Sequence, residues 1–185
     1  MILSILYLIS NFTLGWLFFL SMLDKLMNKS AHLSSFEKYI LIPKWGTKIA
    51  YISVILFELY LTIIFTSTKL TSTSIFIFIV GISIFNIAIL VNLLNGKVNM
   101  SCGCGGVLES ETLNFKMIIR NICFIFFAIF ILTLKNNFTF ISFSVLQKGV
   151  LIFISIKLIL IFIILKELKV IKLSKQKLSR YLFLN

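Results

Sequence analysis

Cys102 and Cys104, set in the run Ser101-Cys102-Gly103-Cys104-Gly105-Gly106, are the one dyad in the chain whose residue types and spacing point to chemistry. Glycine tolerates the tight backbone that brings near-neighbour sulfurs together, so the pair reads as a dithiol able to close to a disulfide. A bridge across one residue closes only with strain, and strained or exposed disulfides are more oxidising than structural ones, hence readily transferred. In such a transfer a partner thiolate attacks one sulfur to give a mixed disulfide, while the other sulfur acts as the resolving or leaving thiol. The sequence leaves open which cysteine does which. Zinc is the competing use of two thiols, but a closed zinc site needs four ligands and His32 is the only histidine. Neither a metal nor a cofactor is expected.

Three polar side chains are candidates for the same site. Glu58 has nine uncharged residues before it and ten after. A carboxylate at that depth in a membrane is expensive, so it should face the bundle interior, protonated or paired. It would act as a proton acceptor for the thiols if its span packs beside the cysteine loop, or as a neutral hydrogen-bonding group between helices. Arg120 and Asn121 follow the loop at the entrance of the next span. A helix N-terminus and a guanidinium both favour a thiolate, with Glu109 and Glu111 opposing, and Asn121 would hydrogen-bond loop backbone. Cys123 lies farther into that span, about 15 Å along a helix, too far for a bridge to the loop. It is expected to be a small buried hydrophobe.

Membrane helices must position these groups. With 59% hydrophobic residues, 20 Phe, mean hydropathy +1.08 and only 13% charged residues, the chain lies far outside soluble averages. The net charge of +12 does not point to nucleic acid, because the basic residues flank apolar runs instead of forming a stripe interleaved with aromatics. Lipid headgroups are the expected anionic neighbour. Apolar runs of about 20 residues span a bilayer. They predict an all-α, polytopic transmembrane bundle of four to five spans over 1–23, 49–66, 70–94, 113–134 and 149–165. No repeat divides the chain, so 1–185 reads as one domain. The first span lacks a basic start and a small-residue cleavage site and should persist in the mature protein. The 24–48 connection carries a short interfacial helix over 34–39, stopped by Pro43. Asn86 and Asn92 should join helices, and Lys157 should snorkel or face a partner helix. The 166–185 tail, with Lys169, Lys172, Lys175, Lys177 and Arg180, reads as a basic amphipathic segment on an anionic leaflet.

These residues resemble the MauE branch of the DoxX-like membrane proteins over most of the chain. The resemblance rests on Cys102-Gly103-Cys104-Gly105-Gly106 followed by Arg120-Asn121, and more weakly on Gly15, Lys25, the run from Tyr39 to Pro43, and Glu58. It implies a DoxX-like four-helix core acting in disulfide formation or protein maturation, with the methylamine dehydrogenase small subunit as the namesake client. Cys102, Cys104, Glu58, Arg120 and Asn121 are then the expected site. The doubled glycine after Cys104 departs from many relatives and loosens the loop.

A self-contained relay to a quinone normally needs a second cysteine pair, and only Cys123 remains. The second thiol is therefore expected from a thioredoxin-like protein or a cysteine-containing client, at a bacterial plasma membrane. The alternative is an accessory, transport or immunity-type membrane protein with inert cysteines. With five spans, the first loop, Lys97, Lys116, Arg120 and the tail share one face, against Lys69, Lys135 and Lys148 on the other. Positive-inside bias puts the cysteine loop in the cytoplasm, whereas disulfide formation expects it outside. A re-entrant fifth segment would reconcile the two.

Overall fold

The computed structural model describes residues 2–67, 70–108, 112–137 and 145–183. Its helices are α1 (Ile2–Met27), α2 (Lys29–Glu37), α3 (Thr47–Ser67), α4 (Ser72–Leu94), α5 (Phe115–Asn137) and α6 (Val145–Phe183). Short 3-10 turns occupy Lys44–Gly46 and Gly106–Leu108, and no strand occurs among the described residues. Five helices are long and apolar enough to cross a membrane: Leu3–Met27, Lys44–Ser67, Ser72–Leu94, Phe115–Leu134 and Gly149–Leu168. Helices satisfy their own backbone groups, which lipid cannot do for them. Hydroxyls inside the spans follow the same rule: Thr62 donates to the Glu58 carbonyl oxygen at 2.8 Å and Thr133 to that of Phe130 at 2.8 Å.

The central helix is α1. It packs against α3, α5, α6 and the Gly106–Leu108 turn, while α4 pairs with α5 and touches α3. Phe18 of α1, Phe65 of α3 and Phe78 of α4 interlock, with ring centroids 5.7 to 6.2 Å apart. Gly15 lets α1 and α3 meet closely, since a Cβ there would lie 2.8 Å from Thr66 Cγ2. The four-helix core is thus α1, α3, α4 and α5. Outside it, α6 is held on α1 partly by the Ser155 hydroxyl, 3.3 Å from the Ile9 carbonyl oxygen. Phe76, Ile84, Phe126 and Phe153 point outward, an apolar surface that suits lipid.

Several expectations need correction. Helix α1 continues to Met27, so Asp24 and Lys25 belong to a helix and not to a loop. The short helix covers Lys29–Glu37 and ends before Pro43, which opens the Lys44–Gly46 turn instead of stopping a helix. Helix α6 runs unbroken from Val145 to Phe183, through the fifth span and into the basic tail, as 166–183 contains no glycine or proline to end it. Cys123 is exposed on the outside of α5, not buried. Lys157 is exposed, consistent with snorkelling. Asn86 and Asn92 do join elements: Asn86 accepts from Asn121 on α5 at 2.9 Å, and Asn92 from the Ile40 amide at 3.3 Å. Lys69, Glu109 and Glu111 lie outside the described residues.

Candidate functional site

The loop between α4 and α5 turns back into the bundle. It is pinched at its neck where the Leu113 amide donates to the Val98 carbonyl oxygen at 3.0 Å. Inside, Cys102 and Cys104 are joined as a disulfide with their Cα atoms 5.3 Å apart. The amide of Cys104 also points at Cys102 Sγ, 3.1 Å away. Cys102 is fully buried and Cys104 is 7% exposed.

Gly105 is required twice over. Its φ of +77° favours glycine, and a Cβ would fall 2.7 Å from the Ser21 carbonyl oxygen and 3.0 Å from Lys25 Nζ. Gly106, at φ +54°, lies as closely over the Leu20 carbonyl. The doubled glycine therefore does not loosen the loop. It lets backbone lie directly on α1, which is the correction to the flexibility expected from sequence.

On α1, Phe18, Ser21 and Lys25 recur at helical spacing and share a face. Lys25 is wholly buried. Its ammonium lies 2.8 Å from Glu58 Oε1 and 3.0 Å from Ser21 Oγ, and also donates to the Cys104 carbonyl oxygen. Ser21 Oγ is 2.7 Å from Glu58 Oε1 and also within hydrogen-bond reach of that carbonyl. Its one hydrogen serves one acceptor at a time. Glu58 is thus paired, as expected of a carboxylate at that depth, and sits one residue removed from the disulfide through Lys25 and Ser21. Its second oxygen, Oε2, is buried without a hydrogen-bond partner among the described residues.

From the other side, Arg120 Nη2 lies 3.4 Å from Cys104 Sγ, while Nη1 donates to the Leu108 carbonyl oxygen at 2.7 Å. A fixed guanidinium beside sulfur stabilises that sulfur as a thiolate when the bond is reduced. Asn121 takes a different place from the one expected: its amide donates to Asn86, and its oxygen accepts from Arg120 at 3.3 Å. It orients the arginine, and of these two residues Arg120 is the one seen bonding loop backbone, at Leu108.

The aqueous end of the loop is covered by α2 and the segment after it. Tyr39 donates to the Cys102 carbonyl oxygen at 2.8 Å, Ser35 Oγ meets Ser101 Oγ at 2.5 Å, and Phe36 lies over Gly103. Asp24 binds the Gly106 amide at 2.7 Å and His32 Nε2 at 3.0 Å, tying α1, α2 and the loop together. Tyr51 fastens α3 by donating to the Lys25 carbonyl oxygen at 2.7 Å. No cluster of three or more His, Cys, Asp or Glu residues suited to a metal occurs among the described residues.

A cavity of about 300 Å³ lies against this cluster, between α3, α4 and α5. Cys104, Glu58, Lys25, Arg120 and Asn121 form its polar patch, and Phe57, Ile82, Ile84, Phe85 and Phe124 give it apolar walls.

All five expected residues, Cys102, Cys104, Glu58, Arg120 and Asn121, therefore converge. Reading the sequence missed Ser21, Asp24, His32 and the pairing role of Lys25. The available signal was the four-residue spacing of Ser21 and Lys25, which puts both on one helix face. No curated protein and no solved structure matches the chain. The family model described as methylamine utilisation protein MauE matches residues 3–134, which contain the four-helix core, the cysteine loop and every residue of the cluster. The chain belongs to the MauE family.

Proposed function

We propose that this chain is a membrane thiol–disulfide exchange protein that passes the Cys102–Cys104 disulfide to a partner, assisting disulfide formation or maturation of that partner. The observation that carries this reading is the Arg120 guanidinium set 3.4 Å from Cys104 Sγ. Such a cation is of little use to a structural disulfide but lowers the cost of releasing a thiolate.

The same contact distinguishes the two sulfurs. A partner thiolate attacks Cys102, the Cys102–Cys104 bond breaks, and Cys104 leaves as the thiolate held by Arg120. A second partner thiolate then attacks the mixed disulfide at the partner's sulfur and releases Cys102. The partner is oxidised to a disulfide, and the chain is left with two thiols. Access to Cys102 requires α2 to part from the loop, because Tyr39 and Phe36 cover it.

The partner class is a thioredoxin-like protein or a cysteine-containing client at a cell membrane. The family description places the namesake in methylamine utilisation, and maturation of a subunit of that system is one such client role. A second reading, a membrane accessory protein in which the disulfide is an inert staple, is favoured by the burial of Cys102. Acid-quenched membranes resolved on non-reducing gels decide between them. A cysteine-dependent adduct with a partner supports exchange. Its absence in wild type and in every cysteine variant, with full function retained, supports the staple.

A further inference from the structure

We propose that the cavity between α3, α4 and α5 binds a lipid-soluble quinone, which oxidises the reduced Cys102/Cys104 pair and restores the disulfide. This rests on the exchange reading above, since it supplies the oxidant that each cycle consumes.

The cavity has the position and lining for such a ligand. Its residues fall near the middle of the α3 and α4 spans, at Ser53 to Glu58 and Gly81 to Phe85. Ser53 on one wall and Ile84 on the other are exposed, so the space opens between those helices toward the bilayer interior. A water-soluble oxidant does not concentrate there, whereas a quinone does. About 300 Å³ is at the lower end of ligand-site volumes and holds a single ring, with an isoprenoid chain left in lipid.

The polar patch suits the chemistry as well. Of the two cysteines, only Cys104 lines the cavity. Arg120 and Asn121 share its wall and make it polar beside Cys104, their nitrogens bonded to Leu108, Cys104 Sγ and Asn86. Glu58 lines it too, more than nine-tenths buried and with Oε2 lacking a partner among the described residues, a carboxylate in the wall that could take up a proton released in the cavity. The exposed Cys123 is not in the wall, so the quinone would meet the loop pair directly, through Cys104, in place of the two-pair relay that this chain lacks.

The balance is that of a two-electron transfer. The Cys104 thiolate adds to the quinone ring, and the Cys102 thiolate then attacks Cys104 Sγ, forming the S–S bond and expelling the reduced ring. Two S–H bonds are lost, one S–S bond is formed, and two electrons and two protons reach the quinone oxygens to give the quinol.

The test uses the full chain in lipid nanodiscs, reduced with dithiothreitol, freed of reductant, and mixed anaerobically with decylubiquinone or a short-chain menaquinone. The expected result is about one quinol formed per chain with loss of both loop thiols. Val54→Trp and Ile84→Trp fill the cavity from opposite walls. Each should slow quinone-driven oxidation roughly tenfold or more relative to oxidation of the same preparation by diamide, a small reagent that reports competent thiols. Failure to reduce either quinone by protein whose thiols diamide oxidises normally would overturn the proposal and leave the exchange reading standing. Parental quinone rates, relative to diamide, in both tryptophan variants would also overturn it. Loop thiols that neither dithiothreitol nor diamide can interconvert with the disulfide would overturn both readings.

Discussion

Lys25 and Glu58, 33 residues apart in sequence, meet at 2.8 Å in the bundle interior, and the lysine ammonium also holds the carbonyl oxygen of Cys104. The pair links α1, α3 and the cysteine loop. Removing one partner leaves an uncompensated buried charge, a loss of about 3–5 kcal/mol, whereas replacing both with apolar groups is close to neutral. Lys25→Met and Glu58→Leu should each lower thermal stability in detergent, and the double variant should recover much of it. Client oxidation should not recover. Glu58→Gln sharpens the point: parental folding and parental client oxidation in that variant would remove any need for a proton acceptor at position 58.

Arg120 makes the second prediction. Once the disulfide is reduced, its guanidinium favours the Cys104 thiolate, the form that alkylating reagents attack. Arg120→Gln should slow alkylation of Cys104 at fixed pH by roughly tenfold, with Arg120→Lys only a partial rescue because it cannot hold Cys104 and the Leu108 carbonyl together. Mass spectrometry of peptides labelled over time reads both rates. Equal labelling in wild type and glutamine variant would show that the cation does not act on the sulfur.

The proposed exchange gives the two cysteines different roles, so their serine variants should differ in phenotype. Cys104→Ser leaves Cys102 as the one loop thiol; given the partner in its disulfide form, Cys102 attacks it, releases one partner thiolate and should accumulate as the mixed disulfide. Cys102→Ser should be inactive with little adduct. The exposed position of Cys123 on α5 predicts that Cys123→Ser is tolerated in expression, folding and client oxidation. An adduct trapped only in Cys102→Ser would reverse the assignment of the two sulfurs.

Glycine substitutions separate backbone strain from lack of space. Gly96 has φ +71° and open space within 4 Å of where a Cβ would stand, whereas Gly105 has φ +77° and an obstructed Cβ position. Gly96→Ala should therefore cost only the left-handed backbone penalty, about 1–2 kcal/mol. Gly105→Ala should add a clash with α1 and free the loop, seen as faster thiol labelling after reduction and a lower unfolding temperature.

Much of the site was legible because membrane sequences make a few residues conspicuous. Glu58 stands alone in an apolar run, and Cys102-Gly103-Cys104 stands in a glycine-rich break between spans. Lys25 was not legible, because a lysine just after 1–23 looks like an ordinary flanking charge, and only the docked loop shows that α1 carries it inward. Cys123 misled for a related reason. Lipid-facing and core positions are both apolar, so hydropathy cannot distinguish outside from inside along α5. The direction of α6 was equally hidden. A basic amphipathic stretch has the same period whether it lies on a membrane or continues a span.

That continuation fixes a height. At 1.5 Å per residue, the 39-residue α6 is roughly 58 Å long, about twice the thickness of a hydrocarbon core. The part beyond Leu168, 169–183, leaves the span on the same face as α2 and the cysteine loop, since both loops and this end follow an odd number of crossings. A stiff post about 20 Å tall thus stands on the face that carries the cysteine loop. On the exchange reading proposed above, a partner docking on that face would meet the post before the membrane, and α6 would set its stand-off, adjustable by about 5.4 Å for each helical turn added or removed.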